Sequence, residues 1–326
     1  MHLSHRESGS DATLIRDEPV SELAAIVAML RTGVAPPTHD LSVRIEELRS
    51  AVEVLRTLAP VGGQQTFLAP IPEEEIVRAK ADVRGWLAAG VDVWSILDAA
   101  YPSNLRRIFN RPPLLFFAGQ WLDAKDRRAV AVIGSRKASE EGRKRAQWLA
   151  SALVRAGYTV LSGLAAGIDT AAHTAVLEAG GRTCAVMGTG LRRIYPKENR
   201  PLAARILGTG GALLSQFFPD QPPTKWTFPR RNVVMSGLAL ATVVIEAPEI
   251  SGARMQARIA LEQGRPVFLP NSLVEEQEWA RRYTEEGLSG ARAIRVQSPY
   301  EVIRRLEDAA LDAMEDAASV ESTNAA

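Results

Sequence analysis

The chain has 326 residues, which is enough for one sizeable domain and a smaller one. Its hydrophobic fraction of 46% and charged fraction of 24% are typical of a soluble globular protein. A single cysteine, Cys184, excludes a disulfide framework within the chain and fits a reducing cytosol. The sequence contains no run of eighteen apolar residues and no signal peptide, so we expect a cytoplasmic protein that does not enter a membrane.

The net charge of +1 hides a segregation of charge along the chain. Residues 101–270 carry 24 Lys and Arg against 11 Asp and Glu, a net charge of +13. The rest of the chain carries 15 against 27, a net charge of −12. This asymmetry predicts one region that meets a polyanion, with flanks that do not. A basic domain without a role on nucleic acid is the alternative.

The first hundred residues predict a small helical domain behind a polar leader. We expect residues 1–19 to be disordered and residues 20–100 to form an all-helical (SAM-like) domain. A short fourth helical segment is predicted to begin near Asp92. Apolar residues fall on one helical face in each of the first two segments: Leu23, Ile26, Val27 and Leu30, then Leu41, Ile45, Leu48, Val52 and Leu55.

From residue 101 onward, short apolar runs alternate with helical stretches. Continuous apolar runs suit strands that are covered on both faces, and strands separated by helices predict βαβ units. For residues 101–314 we therefore predict an α/β fold, a doubly wound, mainly parallel Rossmann-like sheet. Residues 315–326 are predicted to be a disordered tail. The runs are AVAVIG, YTVLSG, TCAVMG, GALLSQ, LATVVIEA and RPVFLP, with a last strand in ARAIRV.

The turn after the first run, GSRKAS, contains the first candidate ligand contacts, because ligands bind at the carboxyl ends of parallel strands. Gly134 permits a tight turn, and the start of the following helix is a ready anion site. Arg136, after Ser135, adds a planar fork that can bind a phosphate with two hydrogen bonds. Glu140 and Glu141 would repel a phosphate placed too deep, so we expect it to lie above the turn.

The second turn, SGLAAGIDTAAH, is also rich in glycine. Gly163 and Gly167 give the backbone freedom at this point. Asp169 can cap the following helix through Ala172 or contact a ligand, and the sequence leaves both roles open. For His173 we expect packing and hydrogen bonding rather than metal coordination, because no second ligand stands at a suitable spacing.

The segment FPRRN places Arg230, Arg231 and Asn232 beside Trp226 and Phe228. Arginines next to aromatic rings suit single-stranded nucleic acid, where phosphate neutralisation combines with base stacking. A solvated basic helix start, packed by its aromatic neighbours, is the alternative interpretation.

Several motifs of catalysis are missing from the sequence. It has no P-loop, no HExxH and no nucleophile elbow, and the first turn lacks GxGxxG. A hydrolase would need a general base near the turns, and Asp169, Glu246 and Glu249 have no evident partner. We therefore predict a protein without catalytic residues, cofactor or metal.

Taken together, these turns resemble the DNA-processing protein A (DprA/Smf) family, within the SLOG superfamily of Rossmann-like domains. The resemblance covers roughly residues 100–305. It rests on several spaced motifs in the family's order: YPSNLRRIFNRPPLLFFAGQ, VIGSR, LSGLAAGIDTAAH, AVMGTGL with YPKEN, FPRRN with SGL, VVIEAPEISGA and GRPVFLP.

The resemblance implies a non-enzymatic protein that binds single-stranded DNA, forms a homodimer and assists loading of a RecA-type recombinase during natural transformation. The implied phosphate contacts are Gly134, Ser135, Arg136, Lys197, Arg230, Arg231 and Asn232. The implied pocket-lining residues are Ser162, Gly163, Gly167, Asp169, Glu246, Ser251 and Gly252.

The sequence departs from the family pattern at positions that we expect to surround the pocket. Val233 replaces a third basic residue after RN, and Gln216 replaces the acidic residue of SE. Asn271 replaces the glycine of PG, and Ala166 stands where a larger residue is common. After the fifth strand the family usually has a small residue, an apolar residue, Thr and Ala, whereas this sequence has GARMQARIA. A nucleotide-binding sensor or nucleotide-processing enzyme of the SLOG type is therefore the alternative function, and a pure protein scaffold is a third.

Overall fold

The computed structural model describes residues 11–33, 38–58 and 71–324. Four helices come first and pack together: α1 contacts both α3 and α4, and α2 contacts α3. Arg31 near the end of α1 forms ion pairs with Glu75 and Asp82, each at 2.6 Å. The bounds are α1 Asp11–Thr32, α2 Thr38–Leu48, α3 Ala51–Thr57 and α4 Glu73–Ala88.

The structure corrects both predicted disordered ends. Helix α1 begins at Asp11, so residues 11–19 continue a helix whose buried face starts at Val20. The last helix runs from Pro299 to Asn324 and includes most of the predicted tail. Extending an existing helix adds one hydrogen bond for each residue fixed, so polar segments join helices that packing has already nucleated. Residues 1–10 and 325–326 lie outside the described residues.

A single sheet of nine strands organises the rest of the chain, in the order β1-β2-β6-β5-β4-β3-β7-β8-β9. Strand β2 runs antiparallel to β1 and β6, and every other neighbouring pair is parallel. The predicted α/β class with a mainly parallel sheet is therefore confirmed. The strands are β1 Asp92–Ser95, β2 Leu114–Gly119, β3 Ala129–Ile133, β4 Thr159–Ser162, β5 Thr183–Val186, β6 Ala212–Ser215, β7 Ala241–Val244, β8 Val267–Pro270 and β9 Ile294–Val296.

Helices connect the parallel strands, as expected for βαβ units. Those from residue 101 onward are α5 Ser103–Arg106, α6 Asp123–Asp126, α7 Glu140–Arg155, α8 Ile168–Glu178, α9 Arg200–Gly208, α10 Thr227–Leu238, α11 Gly252–Glu262, α12 Asn271–Glu276, α13 Glu278–Glu285 and α14 Pro299–Asn324, with a 3₁₀ turn at Lys197–Asn199. Within the described part of the chain, no helix is long and apolar enough to cross a membrane.

Helix α7 illustrates how the local sequence fixes an element beside the site. Ser139 caps it, since its side chain accepts a hydrogen bond from the Gly142 N–H at 2.9 Å. Its buried face is Ala146, Leu149, Ala150 and Leu153, with Val154 half-buried at the edge. This is the face that helical spacing predicts.

The segment near Asp92 is a strand rather than the predicted fourth helix. Strand β1 pairs with β2, with Val93 opposite Phe116. A four-residue strand carries too short a pattern to be distinguished from a helix, and its partner strand β2 begins 19 residues after β1 ends, with Ser95 opposite Leu114.

The helical region and the sheet share one apolar core. The ring of Trp86 on α4 lies 5.3 Å from Phe116 in β2 and 5.8 Å from Phe218 after β6. Arg31 on α1 lies over the same Phe218 ring. The boundary predicted at residue 100 therefore falls inside a continuous packing, with β1 already in the sheet before it.

Candidate nucleic-acid interface

Arg136 lies at the carboxyl edge of the sheet with its guanidinium exposed. The turn beneath it is fixed because the Ser135 N–H donates to the Glu246 carbonyl at 2.7 Å. Its guanidinium carbon lies 4.9 Å from the centre of the Phe228 ring. Arg136 forms no ion pair with any residue in the described ranges, so its five N–H donors are available to a ligand.

The start of α7, where the sequence predicts an anion site, already holds a carboxylate. The backbone N–H of Ser139 lies 3.2 Å from Glu246 Oε1 and 3.1 Å from Oε2. The Ser139 hydroxyl donates to Oε2 at 2.7 Å. A phosphate at Arg136 must therefore lie above this turn, as the sequence predicts for a different reason.

Arg231 is buried, and its guanidinium holds the ends of two strands. Nη1 donates to the carbonyl of Gly163 at 2.9 Å and to that of Val186 at 2.7 Å. Burial lowers the pKa of Arg231, while the nearby Asp169 opposes this shift. This arginine ties β4 to β5, because carbonyl oxygens at the strand ends need donors, and its predicted phosphate contact stays a prediction.

Asp169 is fully buried behind the second turn. One carboxylate oxygen accepts the N–H groups of Gly163 at 3.0 Å and Ala165 at 3.3 Å. Burial raises the pKa of Asp169, although Arg231 and the two N–H groups favour the charged form. The Asp169 carboxylate therefore holds the backbone turn before α8 in place. The predicted helix cap through Ala172 is not formed.

Arg230 points outward beside the buried Arg231. Its guanidinium carbon lies 5.1 Å from the centre of the Trp226 ring, and Trp226 is 48% exposed. Two consecutive arginines thus have opposite surroundings because successive helical positions face about 100° apart. Arg230 is therefore exposed and Arg231 is buried.

Lys197 is exposed at the start of the 3₁₀ turn. Two residues before it, Tyr195 is 43% exposed and its ring lies 5.9 Å from Phe228. Lys197 is not among the residues that line the clefts around Arg136.

Three other predicted site residues, Asn232, Ser251 and Ser162, form hydrogen bonds within the protein. Asn232 is buried, donates to the Gly252 carbonyl at 3.2 Å and accepts from Arg231 Nε at 3.1 Å. Ser251 caps α11 by accepting the Arg254 N–H at 3.1 Å. Ser162 is wholly buried and donates to the Val132 carbonyl at 2.7 Å, so it ties β4 to β3 and does not line a cleft.

Three clefts meet at Arg136, which lines all of them. The largest, of about 920 Å³, contains Gly134, Ser135, Asp169, Arg231, Asn232, Glu246, Ser251 and Gly252. A cleft of about 340 Å³ contains Gly167, and one of about 110 Å³ contains Gly163, Ala166 and Tyr195. The sequence predicted one pocket, whereas Arg136 lines three clefts.

Two further residues, Lys137 and Asn199, contribute to the clefts and turns around Arg136 and were not predicted. Lys137 is exposed, lines two of the clefts and could have been noticed from its position beside Arg136. Asn199 donates to the Leu164 carbonyl at 2.8 Å and to the Thr170 hydroxyl at 2.9 Å. It supports Leu164 at a φ of +57°, and no local signal in the sequence indicates this role.

The departures from the family pattern do not all surround the site. Ala166 is exposed and lines the smallest cleft. Val233 is half-buried, and its carbonyl accepts from Gln263 at 3.2 Å. The Asn271 side-chain oxygen accepts a hydrogen bond from Arg295 Nε. Gln216 has a buried amide nitrogen without a hydrogen-bond partner in the described ranges. Of these four positions, only Ala166 faces a cleft.

The fold and the site together define a Rossmann-like α/β protein whose strand-end clefts carry a basic and aromatic rim in place of a glycine-rich cradle. Over the described ranges, no cluster of histidine, cysteine, aspartate or glutamate could hold a metal ion. The chain belongs to the family described as DNA recombination-mediator protein A, whose model matches residues 92–306. The predicted family is thereby confirmed.

Two curated relatives are similar over the sheet region. The DNA processing protein DprA of Streptococcus pneumoniae is 43% identical over 183 residues, which is 56% of this chain and 64% of the relative. Protein Smf of Escherichia coli is 40% identical over 209 residues, which is 64% of this chain and 54% of the relative. The matches thus span between half and two thirds of these relatives.

Solved structures extend the likeness to more of the chain. The X-ray structure of DprA from Streptococcus pneumoniae is 31% identical, with a TM-score of 0.67, and the match covers 86% of this chain and 96% of that one. DNA processing protein A from Helicobacter pylori is 23% identical, with a TM-score of 0.57 over 67% of this chain and 96% of that one. The second likeness shows the fold alone.

Proposed function

We propose that this chain binds single-stranded DNA and acts in DNA processing, natural transformation and recombination. The observation that carries the proposal is a pair of exposed arginine–aromatic stacks at the carboxyl edge of the sheet. Arg136 lies on Phe228 at 4.9 Å, and Arg230 lies on Trp226 at 5.1 Å. Neither arginine is paired with a carboxylate in the described part of the chain.

This arrangement suits a flexible strand better than a small ligand. Arg136 can bind a phosphate with two hydrogen bonds, while the exposed Trp226 ring offers a stacking surface to a base. Arg230 and Lys197 are exposed and add positive charge to this face of the protein. Such contacts recognise phosphates and ring faces, so we expect little sequence preference and a steep dependence on salt.

The relatives support the same function. The Helicobacter pylori structure is described as showing a single-stranded DNA binding mode, and the curated relatives are named for DNA processing. The family's name is that of a recombination mediator. We therefore propose a RecA-type recombinase as partner, a homodimer as the working form and the cytoplasm as the compartment.

We propose a binding function without catalysis. The carboxylate of Asp169 is buried and accepts two backbone N–H groups. His173 is also buried, and burial together with Arg231 lowers its pKa to about 3. A general base needs access to its proton and a pKa near the working pH, and neither group meets both needs.

The test is fluorescence anisotropy with a labelled single-stranded oligonucleotide over a series of salt concentrations. We expect Arg136→Ala to weaken binding by about tenfold or more, because a charge-assisted bidentate contact is lost. The plot of log K against log salt should become shallower by about 0.7, the value for one phosphate contact on a single strand.

The matched control is Arg56→Ala, which removes the same charge from an exposed arginine on α3. It should bind as the wild type does. No binding of the oligonucleotide by the wild type would contradict the proposed function, and equal binding by wild type and Arg136→Ala would contradict the role of Arg136.

A further inference from the structure

The Glu246 carboxylate occupies the place that a phosphate takes in a mononucleotide-binding turn. It accepts the Ser139 N–H at 3.1 Å and the Ser139 hydroxyl at 2.7 Å, at the start of a helix of 16 residues. A helix start attracts anions through its free N–H groups and its dipole. Here the protein supplies that anion from the end of strand β7.

Gly142 provides the space for this carboxylate. A Cβ at Gly142 would lie 2.1 Å from Glu246 Oε2 and 3.1 Å from Ser139 Oγ. Glycine is less favourable than alanine inside a helix, so the local sequence gains nothing from it. The missing side chain is explained by the room that Glu246 needs.

We propose that Glu246 is a specificity-determining residue that excludes free phosphate and mononucleotides from the start of α7. A phosphate monoester carries nearly two negative charges at neutral pH, whereas each phosphodiester of a strand carries one. A fixed carboxylate at the helix start therefore repels the monoester more strongly. The diester is left to Arg136, above the turn, so that the site selects a strand over its monomers. The identity of this strand rests on the proposed function.

The test uses inorganic phosphate and 5′-dAMP as probes, in the absence of DNA. Binding is measured by calorimetry and by the shift of the melting temperature. We expect no binding by the wild type at concentrations where Glu246→Ala and Glu246→Gln bind, with an affinity gain of roughly tenfold for Glu246→Ala. Glu246→Gln keeps an acceptor for Ser139 and serves if Glu246→Ala does not fold.

Gly142→Ala is an independent variant that leaves Glu246 in the sequence. Its methyl group should displace the end of the glutamate but also fill the space that a phosphate oxygen would take, so we expect Gly142→Ala to bind neither probe. The control is Glu249→Gln, which removes an exposed carboxylate that is paired with Arg254 and lies outside the clefts. It should bind neither probe.

Two results would overturn the inference: the wild type binds phosphate as tightly as Glu246→Ala, or Glu249→Gln gains as much affinity as Glu246→Ala. A parallel titration with labelled oligonucleotide tests the proposed function separately. Wild-type protein that ignores the oligonucleotide contradicts that function, while the phosphate measurements still decide the role of Glu246. In competition, 5′-dAMP should release the oligonucleotide from Glu246→Ala at about one tenth of the concentration that the wild type requires.

Discussion

Arg231 and Gly163 are complementary in shape as well as in hydrogen bonding. The guanidinium Nη1 lies 2.9 Å from the Gly163 carbonyl oxygen, and a Cβ on Gly163 would lie 2.0 Å from the same nitrogen. The glycine is therefore needed because a buried arginine passes where its side chain would be. This contact joins the ends of β4 and β5 below the proposed DNA-binding rim.

Gly163→Ala should lower the free energy of unfolding by about 2–4 kcal/mol, because the buried arginine cannot move aside without losing its carbonyl partners. Urea denaturation measures this change. Gly208→Ala is the control, since a Cβ there meets nothing within 4 Å. A Gly163→Ala protein as stable as the wild type would contradict the packing described.

Substitutions at Arg230 and Arg231 should affect different properties, namely oligonucleotide binding at Arg230 and stability at Arg231. Arg231→Met should destabilise the fold by about 3–5 kcal/mol, because the Gly163 and Val186 carbonyls lose a buried donor and Asp169 loses its neighbouring charge. Arg230→Ala should leave stability within about 0.5 kcal/mol and weaken oligonucleotide binding. Urea midpoints and anisotropy, measured on both variants, check this division. Weaker binding by Arg231→Met without a loss of stability would mean that Arg231 contacts the ligand.

Trp226→Ala should weaken binding of a single strand by about 1–3 kcal/mol, the range for one stacked base. The loss should persist at high salt, because stacking is less sensitive to screening than phosphate contacts are. Trp148→Ala is the matched control, since Trp148 on α7 is 47% exposed and meets Tyr300 edge to face. Equal losses in the two variants, measured by anisotropy, would exclude a base-stacking role for Trp226.

His173 should make the fold less stable in acid. Burial lowers its pKa to about 3, whereas an unfolded histidine has a pKa of about 6.5. Between these values the unfolded chain binds a proton that the native state does not, so stability is lost as the pH falls through this window. The contribution approaches about 1.4 kcal/mol per pH unit.

His173→Gln removes this term, so its unfolding free energy should depend less on pH between about pH 6 and pH 4 than that of the wild type. Urea denaturation at several pH values gives the two slopes. Identical slopes would show that folding does not change the protonation of His173 in this pH range.

Much of the fold follows from patterns that are local in the sequence. The runs that became β3 to β8 are continuous and apolar because both faces of the central sheet are covered, and this property is visible in the residues themselves. The strand β1 was not predictable in this way. Its four residues are extended because β2 offers a hydrogen-bonding edge, and that edge exists only after folding.

The residue types that gather at the carboxyl edge of the sheet could be predicted, since each turn follows a strand that its apolar run defines. Which of these residues face solvent depends on the packing of the folded chain. Arg230 and Arg231 are adjacent and chemically identical, yet one stacks on an exposed ring and the other is buried against two strand ends. The same holds for Glu246, whose carboxylate reaches the start of α7 from 107 residues away. Burial and charge pairing depend on neighbours that are distant in the chain, so no local pattern can assign these roles.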